Sequence, residues 1–159
     1  ANIWGAKWSK LIANAMTQGP IGMLGIKSSE AVILPGYVEL ATLAGQETYA
    51  VSQALGINIE PVFGLTEKDF SGSVEEAIQT LFTTLVKHIG PHSRNAVVQD
   101  HSKGRRTEVD YLNGLVAQKG QELGIPTPSN TAMTLVNQQI DMGKFPAEPQ
   151  NLERIRSLV

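Results

Sequence analysis

The sequence contains no cysteine, which excludes disulfides, thiolate catalysis and cysteine-ligated zinc or iron–sulfur centres. Charged residues make up only 18% of the chain, and 13 Lys and Arg against 15 Asp and Glu leave a net charge of -2. A nucleic-acid partner is therefore not expected, because it requires a basic excess. No apolar run approaches the roughly 18 residues of a membrane span, and residues 1–10 lack the apolar region of a signal peptide. These absences favour a cytoplasmic protein without a membrane partner.

The remaining composition is that of one globular domain, since 159 residues with 42% hydrophobic content are enough to bury a core. Apolar residues recur with the helical period of 3.6, and no pair of strands is indicated. We therefore predict a single all-α domain over residues 1–159, with about six or seven helices. The predicted helices cover residues 3–17, 35–56, 73–90, 93–101, 107–124, 129–142 and 151–159.

Several residues predict where these helices begin and end. Gln18-Gly19-Pro20 is expected to stop the first helix, and residues 21–34 are expected to form loops or short turns. Gly56 suits a left-handed helix end. Ser73, with a glutamate three residues later, has the pattern of a capping box. Thr107 is predicted to cap a helix whose first turn carries two carboxylates.

Few patterns in the chain indicate a metal or a nucleophile. His88 and His92 are four residues apart, which would place two ligands on one helix face, but Gly90 and Pro91 interrupt that helix. We therefore predict no metal site. No G-x-S-x-G turn of a serine hydrolase occurs. The basic turn over residues 103–106 is either an anion site or solvated surface.

The first predicted helix carries the sharpest arrangement of polar residues. Lys10, Asn14 and Gln18 follow one another at intervals of four, so they form one ridge beside an apolar stripe that contains Trp4 and Trp8. A lysine partly shielded by that stripe would serve as a proton donor. The alternative is a surface lysine whose stem covers Trp8. Residue spacing leaves both interpretations open.

Residue spacing alone does not decide the roles of two glutamates. Glu108 lies in the predicted first turn of a helix, where it would stabilise the helix dipole or contact a ligand. Glu47 lies inside a helix with small and apolar neighbours, so it is either half-buried or simply exposed.

Three stretches of the chain resemble the ketopantoate reductase family. Residues 7–15 resemble its "W-x-K-L-x-x-N" helix, and residues 124–130 resemble its "G-I-x-[TV]-P-x-N" link. Residues 99–114 resemble the longer signature "Q-D-x-x-x-G-R-x-T-E-[IV]-D-x-[IL]-N-G". The order and the spacing of the three motifs match as well, and the likeness covers essentially the whole chain but only the C-terminal half of the family's enzymes.

The resemblance implies a helical domain of the 6-phosphogluconate dehydrogenase C-terminal-like type, which in the full enzymes follows an N-terminal Rossmann domain for NADPH. That Rossmann domain is expected to be absent from this chain. The cleft between the two domains would hold a 2-oxo acid, and a homodimer is expected. By the same resemblance Lys10 is the proton donor, Asn14 binds substrate and Glu108 contacts the cofactor. Glu47 would support the active-site region.

Three residues in substrate-binding positions depart from the family pattern. Gln18 stands where the family has asparagine, Ala96 stands where it has serine, and Ser28 aligns near a further asparagine. We therefore expect a substrate other than ketopantoate, and no turnover by the isolated chain. The alternative is a helical binding or dimerisation module that kept the fold and lost catalysis.

Overall fold

The computed structural model describes residues 2–90 and 92–159, and every regular element in that part of the chain is helical. The all-α prediction is therefore confirmed. Short 3-10 helices occupy Glu67–Phe70 and Val109–Tyr111. The α-helices of the described residues are α1 (Ile3–Gly22), α2 (Ser28–Ala31), α3 (Tyr37–Ala54), α4 (Val74–Lys87), α5 (Ala96–Ser102), α6 (Asn113–Leu123), α7 (Pro128–Asp141) and α8 (Asn151–Arg156).

The count of eight α-helices differs from the predicted six or seven because of α2. This helix is only four residues long and lies in the stretch for which loops or short turns were predicted. A single helical turn is shorter than the window in which a period of 3.6 can be recognised.

The largest difference from the sequence-based prediction is the length of α1. The predicted stop at Gln18-Gly19-Pro20 is wrong, because α1 continues through Pro20 to Gly22. A proline inside a helix leaves the carbonyl four residues earlier without its usual N–H donor. Here the buried hydroxyl of Tyr37 donates to that carbonyl, Met16 O, at 3.2 Å. A donor from α3 thus replaces the missing helical bond.

The predicted ends of the later helices are partly confirmed. Ser73 and Glu76 form the expected capping box, with reciprocal bonds of 3.2 and 3.0 Å, and Gly56 has the left-handed φ of 70°. The prediction for Thr107 is wrong, because its hydroxyl is buried and donates to Asp141 Oδ2 at 3.0 Å. The following residues form a 3-10 turn, and α6 begins only at Asn113.

Helix α1 lies at the centre of the core, where it packs against α3, α4, α5 and α7. Its residues Ile12, Ala15 and Met16 are completely buried. Trp8 is buried in a smaller cluster with Val51 and Val116, whereas Trp4 is 61% exposed. No helix that the structure describes is long and apolar enough to cross a membrane.

Candidate functional site

The polar ridge predicted on α1 lies at the protein surface. Lys10 is exposed, and Asn14 and Gln18 are partly buried. Eight residues of helix separate the first from the last, a rise of about 12 Å. Within the described residues, the side chains of Lys10 and Asn14 form no hydrogen bond or ion pair. We call these three side chains the open face of α1.

Of the two interpretations left open for Lys10, the structure fits a surface lysine that the tryptophan stripe does not shield. Lys10 lies two residues after Trp8, which is about 200° around the helix axis. The indole is therefore turned into the core while the ammonium points into solvent. Any shielding of Lys10 from water must come from atoms outside this chain.

The backbone of α1 at the C-terminal end of the open face is held by side chains from other elements. Five consecutive carbonyl groups of α1, at residues 15–19, each accept a side-chain hydrogen bond of 2.9–3.2 Å. We call residues 15–19 the clamped segment. The donors are Asn113 for Ala15, Tyr37 for Met16, Asn95 for Thr17 and Gln18, and Asn137 for Gly19.

Asn95 brings two of the predicted substrate residues together. Its Nδ2 donates to Gln18 O at 3.1 Å, and its Oδ1 accepts from Val98 N at 2.8 Å as the N-cap of α5. Ala96 is the first residue of α5 and is exposed. Gln18 Oε1 is buried without a hydrogen-bond partner. The structure therefore joins the backbone of Gln18 to the exposed start of α5 and leaves the side-chain oxygen of Gln18 without a partner.

Ser28 lies next to the same region but is enclosed. Its N–H donates to Ser93 O at 2.9 Å, which joins the start of α2 to the segment before α5. The residue is only 3% exposed. Ser28 is thus close to the segment that leads to Ala96 but is covered by the domain itself, unlike the open face.

Glu47 is half-buried and caps a helix. Its carboxylate accepts from Ser129 N at 2.8 Å, from Asn130 N at 2.9 Å and from Asn130 Nδ2 at 2.8 Å. A carboxylate at this place stabilises the first turn of α7, where unpaired N–H groups and the helix dipole favour negative charge. Glu47 therefore joins α3 to α7.

Two buried asparagines that sequence reasoning did not select complete this arrangement. Asn113 Nδ2 donates to both Ala15 O and Asn130 Oδ1, at 3.0 and 2.9 Å. The side chain fits there because Gly19 has no Cβ, which would collide with Asn113 Oδ1. Both asparagines lie in the motifs that resemble the family, which was a signal for their importance. Their hydrogen-bond partners are too distant in the sequence to be predicted from it.

Glu108 lies outside any α-helix, so its predicted place in the first turn of a helix is wrong. It is exposed and directly precedes the 3-10 helix Val109–Tyr111. Nearby, Asp110 accepts from Gln138 Nε2 and from Arg106 Nη2, both at 2.7 Å. These two hydrogen bonds hold the pKa of Asp110 below its usual range. Arg106 is 80% exposed, in keeping with a solvated basic turn.

The histidines do not form a metal centre in the described part of the chain. His88 Nδ1 lies 2.7 Å from Thr84 O at the end of α4, and His92 is exposed. No group of three or more His, Asp or Glu side chains among the described residues could hold a metal ion.

The chain is similar to a known protein family and to individual proteins. The family model described as the C-terminal part of ketopantoate reductase PanE/ApbA matches residues 2–140. A 2-dehydropantoate 2-reductase of Archaeoglobus fulgidus is 25% identical over 136 residues, which are 86% of this chain and 40% of that protein. The corresponding protein of Vibrio cholerae is 30% identical over 128 residues, which are 80% of this chain and 38% of that protein. The chain thus spans about 40% of the length of these relatives.

Solved structures show the same fold. A PanE/ApbA family ketopantoate reductase from Ralstonia eutropha superposes with a TM-score of 0.71 and 26% identity, over 90% of this chain and 43% of that one. D-mandelate dehydrogenase, solved with NADH and anilino(oxo)acetate, superposes with a TM-score of 0.69 at 18% identity, over 86% of this chain and 40% of that one. The second likeness concerns the fold alone.

Proposed function

Because the chain belongs to the ketopantoate reductase family as a C-terminal domain, we propose that it is the substrate-binding part of a reductase. The whole protein would reduce a 2-oxo acid to a 2-hydroxy acid with NADPH. The observation that supports this proposal is the arrangement of α1, whose open face ends within a segment of five clamped carbonyl groups. Unpaired polar groups on a rigid support are what a preorganised binding site requires.

Lys10 would act on the oxygen of the keto group. Reduction adds a hydride to the keto carbon and a proton to its oxygen, so that C=O becomes CH–OH. Negative charge develops on that oxygen as the carbon–hydride bond forms, and an ammonium group stabilises this charge and then donates the proton. Lys10 has no competing hydrogen bond among the described residues, which leaves its ammonium available for this role.

Asn14 lies one helical turn from Lys10, where its amide can donate hydrogen bonds to the carboxylate of the same 2-oxo acid. Because Lys10 is exposed here, water has to be excluded by the remaining part of the protein when substrate is bound. Exclusion of water strengthens both the charge stabilisation and the hydrogen bonds.

The nicotinamide of the cofactor, when bound, supplies the hydride. The described residues fit only a small share of such a cofactor, because they contain no strand and therefore no strand-to-helix turn that cradles a pyrophosphate. Glu108 has an exposed carboxylate that could accept a hydrogen bond from a cofactor hydroxyl. The chain's own contribution would be limited to that contact.

Gln18 and Ala96 would set the substrate preference. An asparagine at position 18 and a serine at position 96 are the family's pattern, and this chain replaces the first by a longer amide and the second by a methyl group. A site built to bond a substrate hydroxyl loses about 1–3 kcal/mol when the partner is missing. Ketopantoate carries such a hydroxyl, so we expect it to be a poor substrate.

The test is NADPH oxidation by the whole protein with a panel of 2-oxo acids, beside the isolated 159-residue chain. We expect turnover by the whole protein only, with ketopantoate below the best substrate in kcat/KM. The double variant Gln18→Asn/Ala96→Ser should raise kcat/KM for ketopantoate by about tenfold, since it restores the polar partners. Absence of turnover with every 2-oxo acid by a folded whole protein would favour the binding or dimerisation module instead.

A further inference from the structure

His101 lies in a buried polar network that the proposed reaction does not use. Its Nε2 is 3.0 Å from Asn137 Oδ1, and its Nδ1 is 3.3 Å from Asp141 Oδ1. The side chains of His101 and Asp141 are only 4% and 12% exposed. Each ring nitrogen therefore lies beside an oxygen atom, and both side chains are largely shielded from solvent.

The orientation of the Asn137 amide is determined by its other contacts. Its Nδ2 donates to Gly19 O at 3.1 Å and to Met133 O at 2.8 Å. Since both partners are carbonyl oxygens, the NH₂ group must point towards them and Oδ1 towards His101. An amide oxygen only accepts hydrogen bonds, so His101 Nε2 must carry a proton.

Asp141 places a second acceptor on the opposite side of the ring. Its Oδ2 accepts from Thr107 N at 3.2 Å and from Thr107 Oγ1 at 3.0 Å. Its Oδ1 is buried and has no hydrogen bond, and the group in contact with it is His101 Nδ1. A bare lone pair on Nδ1 would face a carboxylate oxygen.

A neutral imidazole has one N–H group, so either tautomer would set a nitrogen lone pair against an oxygen lone pair. We infer that His101 is a buried imidazolium, ion-paired with Asp141, and that through Asn137 it positions the end of the clamped segment of α1. An unpaired polar atom at either nitrogen would be costly in such a buried place.

Other charges surround this pair. Arg94 and Lys144 line the same surface cavity of about 640 Å³ as His101, and Arg106 is close enough to Asp141 for a favourable electrostatic interaction. The three cations oppose a further positive charge, whereas Asp141 is the carboxylate in contact with the ring. The positive charge of His101 therefore depends on Asp141, and a substitution of Asp141 tests it.

The connection to α1 runs through Gly19. The Gly19 carbonyl accepts from Asn137 Nδ2 and from Met23 N, the latter at 3.1 Å. Gly19 is the residue directly after Gln18 of the open face. Pro20 cannot donate to the helix at this turn, so side-chain support has more weight here than in an uninterrupted helix. The effect on substrate recognition rests on the proposed function, but the charge of His101 and its hold on α1 do not.

The first test is the protonation of the His101 ring, read by nitrogen–proton NMR correlation at neutral pH. We expect two protonated ring nitrogens in the unmodified chain and one in Asp141→Asn, because that variant removes the opposite charge and supplies a donor to Nδ1. The matched control Asp100→Asn removes a carboxylate one residue from His101 that is not in contact with its ring. It should leave both nitrogens protonated. A single protonated nitrogen in the unmodified chain would overturn the inference.

The second test is the hydrogen exchange rate of the Met23 amide, which reports on the last turn of α1. We expect this rate to rise by about tenfold in Asp141→Asn and to stay within about twofold in Asp100→Asn. An unchanged rate in Asp141→Asn would contradict the positioning role. Neither test measures turnover, so a failure here is distinct from a failure of the proposed reaction.

Discussion

The open face of α1 and its clamped segment are built in opposite ways. On the open face, the side chains of Lys10 and Asn14 form no hydrogen bond with the described residues, and Gln18 Oε1 is buried without a partner. In the clamped segment, the carbonyls of residues 15–19 all accept a bond from a side chain of another element. The difference separates two tasks, because the clamped segment fixes the helix while the open face leaves the side chains of Lys10 and Asn14 free for a ligand.

The largest expected loss of stability comes from breaking the clamped segment at Asn113. Asn113→Ala removes the donor to Ala15 O and to Asn130 Oδ1, and both acceptors are buried. We expect the free energy of unfolding to fall by about 2–4 kcal/mol, since each unsatisfied buried group costs about 1–3 kcal/mol. Denaturant unfolding measures this change.

The matched control for Asn113 is Asn14→Ala on the open face. Its side chain has no partner to lose, so we expect a change within about 0.5 kcal/mol. Equal losses in the two variants would contradict the division between the open face and the clamped segment.

A smaller loss is expected at Tyr37, where one hydroxyl replaces the bond that Pro20 cannot make. Tyr37→Phe should lower the free energy of unfolding by about 1–2 kcal/mol, because Met16 O would lose its side-chain donor. Burial raises the pKa of Tyr37, so the hydroxyl remains a neutral donor over the accessible pH range. Tyr111→Phe is the control, since Tyr111 is 78% exposed, and it should leave stability unchanged in the same unfolding experiment.

The smallest effect is expected at Asp110. Its side chain is 25% exposed, so it is neither fully buried nor fully open to solvent. Gln138 and Arg106 lower its pKa in the folded state. A lowered pKa contributes stability above the unfolded value of about 3.9, and this contribution is lost as the pH falls through the folded value.

Asp110→Asn should therefore flatten the loss of stability below about pH 4, by less than about 1 kcal/mol because solvent screens the pair. Unfolding curves at several acidic pH values measure the slope for both proteins. Parallel curves would show that the pair is not maintained in solution.

The helical fold and several helix ends could be predicted from the sequence because they depend on local patterns. The capping box at Ser73 and the left-handed Gly56 each involve residues within one turn. The continuation of α1 through Pro20 could not be predicted, since the compensating donor, Tyr37, is 17 residues after Pro20 and belongs to another helix. Sequence rules predict that a proline removes a helical hydrogen bond, but they do not predict that a side chain of another helix replaces it.

The same distinction applies to the candidate site. Its three α1 residues follow from helical spacing and from a resemblance to a family motif. The roles of Glu47 and His101 depend on contacts over 82 and 36 residues of sequence, which spacing does not encode. Sequence reasoning accordingly predicted the open face and missed most of the polar groups that hold it in place.

We propose that Lys10 on the open face donates the proton, and kcat of the whole protein with its best 2-oxo acid tests this role. Lys7→Ala is the matched control, because Lys7 is an exposed lysine one turn away that contacts the Trp4 ring. We predict that Lys10→Ala lowers kcat by about 10²–10⁴-fold without a change in melting temperature, and that Lys7→Ala leaves kcat within about twofold. Equal kcat values for Lys10→Ala and Lys7→Ala would contradict proton donation by Lys10 and identify it as an ordinary surface lysine.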